Sequence, residues 1–266
     1  MNKKQTERGL EDAALLRRYD EQMRLTFELP GMRREESECV VRRIDPKGRE
    51  GMVIFSRLQE CNVREVIQQE IKYFNALAQD FEWKAFAHDY PPDLIGQLRG
   101  MGFDAEEPEA LMVLDLEDTP ALLHHQSEYE VRRITNAKGM KDVVAVQNEV
   151  WGEGHSWTNE RLLDWLETHP DYVSIYAAYA EGRPVCCGWM DFPAGKDFAG
   201  MWGGSTLPQF RNQGFYTALV AVRLREARER GFRYATIDAQ PSSRVILEKR
   251  GFRIIGWSQG AKWRHR

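Results

Sequence analysis

Apolar and polar positions repeat with two different periods along the second half of the chain. Some runs alternate every second residue, as half-buried strands do, and others place apolar side chains three and four residues apart, as amphipathic helices do. The predicted elements are a strand at 130–134, helices at 138–150 and 158–168 with Thr158 as N-cap of the second, a hairpin turning at Glu181-Gly182-Arg183-Pro184, and a strand at 198–206.

The pattern becomes helical again at Gly214. Phe215, Ala218, Leu219 and Val222 fall at offsets zero, three, four and seven, which defines one apolar stripe. The remaining predicted elements are a helix stop at Gly231, a strand at 234–238, a helix at 242–250, the pair Gly251-Phe252 and a final strand. The resulting order, β-α-α-β-β-β-α-β-α-β, predicts a mixed α/β fold around a central sheet.

The first half contains a weaker copy of this pattern. GMVIFSRL predicts a strand, Asn62 precedes a helix with an apolar stripe from Val63 to Phe74, EWKAFA predicts a second strand, and a short helix closes on Gly102-Phe103. The two halves are therefore interpreted as a degenerate tandem duplication. Residues 1–50 add a helix over about Leu10 to Phe27 and one strand, and a polar stretch near 118–127 separates predicted domains at 1–120 and 128–266.

Composition narrows the class of protein. The 266 residues are 42% hydrophobic and 29% charged with a formal charge of −4, values typical of a globular protein and without the basic excess of a nucleic-acid binder. No apolar run reaches membrane-spanning length and the N-terminus lacks a signal-peptide core, so we expect a cytoplasmic protein without a membrane partner. The four cysteines have no metal-ligand or CxxC spacing, and we expect neither disulfides nor a metal.

The segment RNQGFY lies between the strand at 198–206 and the following helix. One interpretation is an ordinary strand-to-helix turn with a glycine for steric reasons. The other is a phosphate cradle, because a helix N-terminus carries unpaired N–H groups, Gly214 allows close approach, Arg211 offers a forked donor and Pro208 stiffens the entry.

The order of elements and this motif together resemble the GNAT superfamily of acyl-CoA-dependent N-acyltransferases. Its signature is Arg or Gln, two residues, Gly, one residue, then Gly or Ala, and Arg211 to Tyr216 fits except that Tyr216 replaces the small residue. The resemblance covers residues 128–258, with Gly251-Phe252 as a second landmark. It implies a mostly antiparallel sheet flanked by helices, preceded here by a partial GNAT-like domain.

The resemblance also implies acetyl-CoA as co-substrate. Backbone N–H groups of the loop would hold its pyrophosphate, and the end of the preceding strand would pair with the pantetheine arm; Gly203 and Gly204 suit such close approach or a β-bulge. Ser242 or Ser243 would bond the thiol or cap a helix. The expected cofactor-binding residues are Gly204, Ser205, Thr206, Arg211, Asn212, Gln213, Gly214, Phe215, Tyr216 and Ser243. The N-terminal copy has only QEC at this place, so it is expected to lack a CoA site and to cover the cleft or a sheet edge.

Catalysis requires a base for the amine and an acid for the thiolate. Many family members carry the acid as a tyrosine where this chain has Leu247, so Tyr216 becomes a candidate. The strand FAGMWGGST has no base; the candidates are Asp238, which also suits a turn cap, and His155, which also suits a solvent-facing loop. Asp191 and Asp197 flank a turn, where aspartate is common for local reasons.

Seven of the eight tryptophans follow residue 150, and Trp151, Trp157, Trp189 and Trp202 suit either core packing or an acceptor pocket for an amine with a flat or apolar part. The leading hypothesis is an N-acetyltransferase that acts on a small-molecule or peptide amine. Because the usual tyrosine is missing, a second hypothesis stays open: a catalytically weak acyl-CoA-binding sensor or interaction module. Monomer and homodimer are both compatible with the sequence.

Overall fold

The computed structural model describes residues 3–58, 62–118, 121–125, 127–152 and 156–265. The chain divides into two compact units. The first contains Met1–Met112, Asp238–Ile246 and Arg253–Arg266, and the second contains Val113–Ile237 and Leu247–Phe252. The last part of the chain therefore packs with the first unit, whereas the domains predicted at 1–120 and 128–266 follow the repeats along the sequence. Across the described residues, no helix has both the length and the apolar content that crossing a bilayer requires.

The elements of the second unit occur in the predicted order. They are β7 (Glu130–Ile134), α4 (Ala137–Trp151), α5 (Ser156–Thr168), β8 (Val173–Ala180), β9 (Arg183–Asp191), β10 (Phe198–Thr206), α6 (Phe215–Glu229) and β11 (Tyr234–Ala239), which continues past the unit's limit. Helix α5 begins two residues before Thr158, so the expectation that Thr158 is its N-cap is wrong and this residue lies inside the first turn.

The sheet of the second unit is mostly antiparallel. Its strand order is β11-β10-β9-β8-β7, and only β10 and β11 run parallel. The predicted hairpin between β8 and β9 turns at Glu181 and Gly182, whose φ values of 49° and 77° match the left-handed geometry that twisted hairpins favour. The mixed α/β class with a central, mostly antiparallel sheet is confirmed.

The first unit contains more local structure near its N-terminus than the sequence predicted. Its elements are α1 (Lys3–Tyr19), β1 (Arg33–Glu36), β2 (Val40–Ile44), β3 (Gly51–Ser56), α2 (Val63–Ala76), β4 (Phe81–Phe86), α3 (Leu94–Gly100), β5 (Asp104–Ala105), β6 (Glu109–Asp115, continuing into the second unit), α7 (Pro241–Glu248, likewise) and β12 (Arg253–Trp263). A π-helical turn, Asp20–Leu25, follows α1, and the strand β1 was missed because its sequence, RREE, has no apolar alternation.

One arrangement recurs in both units. The strands β3 and β4 pair in parallel from Gly51↔Phe81 to Val53↔Trp83, and β10 and β11 do so from Phe198↔Tyr234 to Gly200↔Thr236. A helix joins the two strands of each pair, and each pairing covers three positions. The glycines of both Gly-Phe pairs are left-handed, with φ of 96° at Gly102 and 95° at Gly251. These parallels support the tandem duplication.

The C-terminal strand stabilises the first unit. Strand β12 pairs antiparallel with β4 over six positions, from Ser258↔Phe86 to Trp263↔Phe81. The Trp263 ring is buried in a core that includes the stacked rings of Phe74 and Phe81, 4.2 Å apart, and its Nε1 donates to Asn75 Oδ1 at 2.9 Å. Burial of large aromatic side chains dominates such cores.

We therefore expect Trp263→Ala to lower the free energy of unfolding by about 3–5 kcal/mol, because it leaves a cavity and an unpaired buried amide. Arg264→Ala is the matched control at the next position. Its side chain is exposed and pairs with Asp80, so its cost should stay within about 1 kcal/mol. Urea unfolding of both variants gives the comparison; equal losses would contradict the role of the Trp263 ring.

Candidate functional site

The loop before α6 has the backbone shape of an anion site. Gly214 is the N-cap of α6 with φ of 96°, and Asn212, two residues earlier, is also left-handed with φ of 60°. Left-handed residues in a turn can direct successive N–H groups towards one concavity. The first-turn N–H groups of a helix have no acceptor within the helix and carry its positive dipole end. Helix α6 is 15 residues long, so this end is well formed.

Three hydrogen bonds fix this loop from behind. Arg211 Nε donates to the carbonyl of Thr206 at 3.2 Å, and Gln213 Nε2 donates to the carbonyl of Gln209 at 2.8 Å. The Tyr129 hydroxyl donates to the carbonyl of Gln213, and its ring packs on Phe215 with centroids 4.0 Å apart. Tyr129 was missed in the sequence because it lies 84 residues from its partner and no local pattern marks it.

The expected β-bulge is present in β10. The pairing with β9 shifts register between Trp202 and Ser205, and Gly203 has φ of 60°. A Cβ on Gly203 would lie 1.7 Å from the Trp189 ring, so only glycine fits there. Arg223 of α6 stabilises the bulge. It is completely buried and donates from Nη1 to the carbonyls of Trp189 at 3.1 Å and Trp202 at 3.3 Å.

Beyond the bulge, β10 no longer pairs with its parallel neighbour, β11. Its pairing with β11 ends at Gly200↔Thr236, whereas β10 continues to Thr206 and leads directly into the loop. A strand edge that is released in this way can accept an extended ligand through main-chain hydrogen bonds. The anion-site loop and this edge are consecutive in the chain.

The hydroxyls of Ser205 and Thr206 are both hydrogen-bonded to other side chains. The Ser205 hydroxyl accepts from Trp151 Nε1 at 2.8 Å, and the Thr206 hydroxyl donates to Cys186 Sγ at 3.1 Å. Burial raises the pKa of the Cys186 thiol to about 11, and it raises the pKa of Cys187 further, so both cysteines are unreactive core residues. Any contact of Ser205 or Thr206 with a ligand would therefore use the backbone.

Tyr216 packs against the bulge from the first turn of α6. A Cβ on Gly204 would lie 2.8 Å from Tyr216 Cε2, so the glycine makes room for this ring. Burial raises the pKa of the Tyr216 phenol and the charge of Arg223 partly offsets the rise, and no hydrogen bond to its hydroxyl is found among the described residues. Leu247, at the usual tyrosine position, is buried core.

Two of the predicted residues have local partners of their own. Asp238 and Ser243 belong to the first unit. There the Asp238 carboxylate pairs with Lys84 Nζ at 3.3 Å and accepts from the Ser258 hydroxyl at 3.0 Å, while the Ser243 hydroxyl donates to the carbonyl of Gln240 at 3.1 Å. These contacts explain both residues structurally, in a local network and a local turn. His155 lies outside the described residues.

Tryptophans surround the bulge on the strands and on α4. Trp202 and Trp189 occupy paired positions of β10 and β9, Trp202 is 39% exposed, and Trp151 at the end of α4 is 50% exposed. An exposed indole face can bind flat, apolar or cationic groups. The side chain of Trp157 lies outside the described part of the chain.

Comparison with known proteins gives a family match for part of the chain. Residues 139–252 match the profile of the acetyltransferase (GNAT) family, a segment that includes β10, the loop and α6. This part of the chain is therefore a GNAT domain, and it makes the protein an acyltransferase. No curated protein matches the chain significantly.

Solved structures extend the likeness of fold to nearly the whole chain. A GCN5-related N-acetyltransferase from Kribbella flavida has 14% identity and a TM-score of 0.65, over 96% of this chain and 94% of its own. A functionally unknown conserved protein from Staphylococcus epidermidis has 13% identity and a TM-score of 0.68, over 93% and 98%. A tandem GNAT protein from the clavulanic acid biosynthesis pathway has 12% identity and a TM-score of 0.58, over 90% and 85%. At these identities the likeness concerns the fold.

The contact between Gly204 and Tyr216 can be tested by a double-mutant cycle. We expect Gly204→Ala to lower the free energy of unfolding by about 1–3 kcal/mol, because the new methyl group overlaps the ring. Tyr216→Ala removes that ring, so the added methyl should cost little in the double variant, giving a coupling energy above about 0.5 kcal/mol. Additive losses in urea unfolding would show that the two residues do not constrain each other.

Proposed function

We propose that the second unit transfers an acetyl group from acetyl-CoA to a primary amine of a small molecule or peptide. The observation that carries the proposal is the continuity of two binding features: the open edge of β10 leads without interruption into the left-handed loop at the N-terminus of α6. A pyrophosphate on the loop N–H groups would place the attached pantetheine arm along the strand edge. Arg211, exposed beside the loop, adds a positive charge.

Within this proposal, a backbone N–H of the bulged strand polarises the thioester carbonyl. A bulge leaves main-chain groups without ladder partners, and such fixed donors stabilise a developing oxyanion. Tyr216 protonates the departing thiolate from the other side of Gly204. Its raised pKa keeps the phenol protonated at neutral pH, as an acid must be.

The rival function is an acyl-CoA-binding sensor, favoured by Leu247 at the place of the usual acid. Release of free thiol from acetyl-CoA, measured across a panel of amines, amino acids and peptides, separates the two. Acceptor-dependent turnover supports the transferase, whereas tight acetyl-CoA binding that no amine converts into turnover supports the sensor. The first unit is proposed to lack a CoA site, because Gln59 to Cys61 contain neither glycine nor arginine.

We expect Gly214→Val to weaken acetyl-CoA binding by roughly 100-fold, the loss of two charge-assisted hydrogen bonds, because its Cβ would lie 3.2 Å from the Tyr129 ring that holds the loop and would oppose the positive φ. Gly231→Val is the matched control. It lies just beyond the other end of α6 with φ of 82° and open space around it, so it carries similar backbone strain without touching the loop. Calorimetric titration of both variants decides; equal affinities would refute the loop assignment.

Tyr216→Phe should lower kcat about 100-fold and leave acetyl-CoA affinity unchanged, because the ring stays and only the proton donor is lost. Since the phenol pKa is raised above its usual 10, the deficit should persist at every pH up to 10. Tyr179→Phe, which removes a hydroxyl bonded to Asp142, serves as the control and should keep full activity. A Tyr216→Phe variant with normal kcat would exclude the residue as the acid.

A further inference from the structure

Strand β10 has no carboxylate of its own, but β9 places one beside it. Asp191 is the last residue of β9 and pairs across the sheet with Gly200. Gly200 is also the last residue of β10 that pairs with β11. The Asp191 carboxylate therefore stands at the point where the two parallel strands separate, next to a residue that has no side chain to exclude it.

Asp191 shares its side of the sheet with two tryptophans. Trp189 and Trp202 form the neighbouring cross-strand pair, two positions along each strand, so their side chains and that of Asp191 project from one face. The Trp202 indole lies over Gly200: a Cβ there would be 2.7 Å from Trp202 Nε1. Trp202 is 39% exposed, whereas the Asp191 side chain itself is buried.

The surroundings of Asp191 leave part of its carboxylate unused. Oδ2 accepts from the Tyr172 hydroxyl at 3.0 Å, whereas Oδ1 is buried and makes no hydrogen bond of full geometry within the described residues. Burial raises the pKa of Asp191 to about 7, and the Tyr172 hydroxyl, the Trp202 indole and the charge of Arg161 on α5 only partly offset that rise.

A purely local role accounts poorly for this residue. An aspartate at a turn normally accepts hydrogen bonds from nearby backbone N–H groups. Asp191 instead accepts from Tyr172, 19 residues away, and its buried Oδ1 makes no hydrogen bond of full geometry within the described residues, which costs stability. Buried groups with perturbed pKa values cluster at functional sites, and a general base works best when it titrates near the working pH.

We propose that Asp191 is the general base that accepts a proton from the acceptor ammonium through one bridging water, with the amine held against Trp202. This inference rests on the proposed acetyl transfer. The neutral amine then forms a C–N bond with the thioester carbonyl carbon, and the C–S bond breaks with its electron pair on sulfur. The thiolate takes a proton from Tyr216, the nitrogen releases its second proton to restore the phenol, and Asp191 returns its proton to solvent. The products are the N-acetyl amine and free CoA.

The test is the pH profile of kcat/KM between pH 5 and 9, with acetyl-CoA affinity measured on the same preparations. In the unmodified protein the profile should rise with pH and level off above an apparent pKa of about 7, because the base works only when deprotonated. In Asp191→Asn the plateau value of kcat/KM should be lower by about 100-fold or more and the inflection should be absent, while the affinity for acetyl-CoA stays unchanged. Asp197→Asn, at the other end of the same turn, is the control and should match the unmodified protein.

A second variant distinguishes catalysis from structure. Tyr172→Phe removes a hydrogen bond that favours the charged carboxylate, so the inflection should move to higher pH while the plateau is retained. Thermal unfolding at pH 8 checks the fold: Asp191→Asn should be at least as stable as the unmodified protein, because a carboxyl with a raised folded-state pKa loses stability as pH rises towards that value.

The results for the two variants distinguish the role of Asp191 from acetyl transfer itself. A normal profile for Asp191→Asn, or an unshifted inflection in Tyr172→Phe, would overturn the role of Asp191 and leave acetyl transfer standing. Acetyl-CoA binding without turnover on any amine would overturn the transferase and the base together. Loss of the inflection in Asp191→Asn with its displacement in Tyr172→Phe supports the proposal.

Discussion

The buried guanidinium of Arg223 is the constraint around which the second unit is arranged. A charge with no exposed surface is expensive unless its hydrogen bonds are satisfied, and burial lowers its pKa accordingly. Arg223 donates to the carbonyls of Trp189 and Trp202, at the place where the bulge interrupts the ladder between their strands. A Cβ on Gly188 would lie only 3.0 Å from Arg223 Nη1, so this glycine also serves the arrangement. The side chain thus replaces hydrogen bonds that the bulge removes.

The bulge in turn determines what surrounds it. Gly203 adopts a left-handed conformation that lets the Trp189 ring fill the space beside it, and Gly204 admits the ring of Tyr216. Beyond these glycines β10 has left its parallel partner and enters the loop before α6. The separation of the strands, the bulge and the N-terminus of α6 follow one another along a single stretch of the chain.

The features predicted from sequence are those encoded locally. The period of apolar residues gave the helices and strands of the second unit, and Gly214 with its neighbours gave the strand-to-helix loop. The features that were missed depend on pairing over long distances: Tyr129 reaches the loop from 84 residues away, and Asp191 meets Gly200 only through strand register. Asp191 was interpreted as a turn residue because nothing adjacent to it in sequence reveals burial or the Tyr172 contact.

Catalysis without the usual tyrosine is easier to explain once the burial of Tyr216 and Asp191 is considered. Leu247 fills that position with apolar volume, but Tyr216 and Asp191 both belong to the unit that carries the loop, and burial raises both pKa values. The same physical effect has opposite chemical uses in the two groups. It keeps a phenol protonated, as an acid requires, and it brings a carboxyl into the neutral range, where it can both accept and release a proton. A scaffold that buries two polar side chains beside one bulged strand can therefore provide acid and base without the family's common residues.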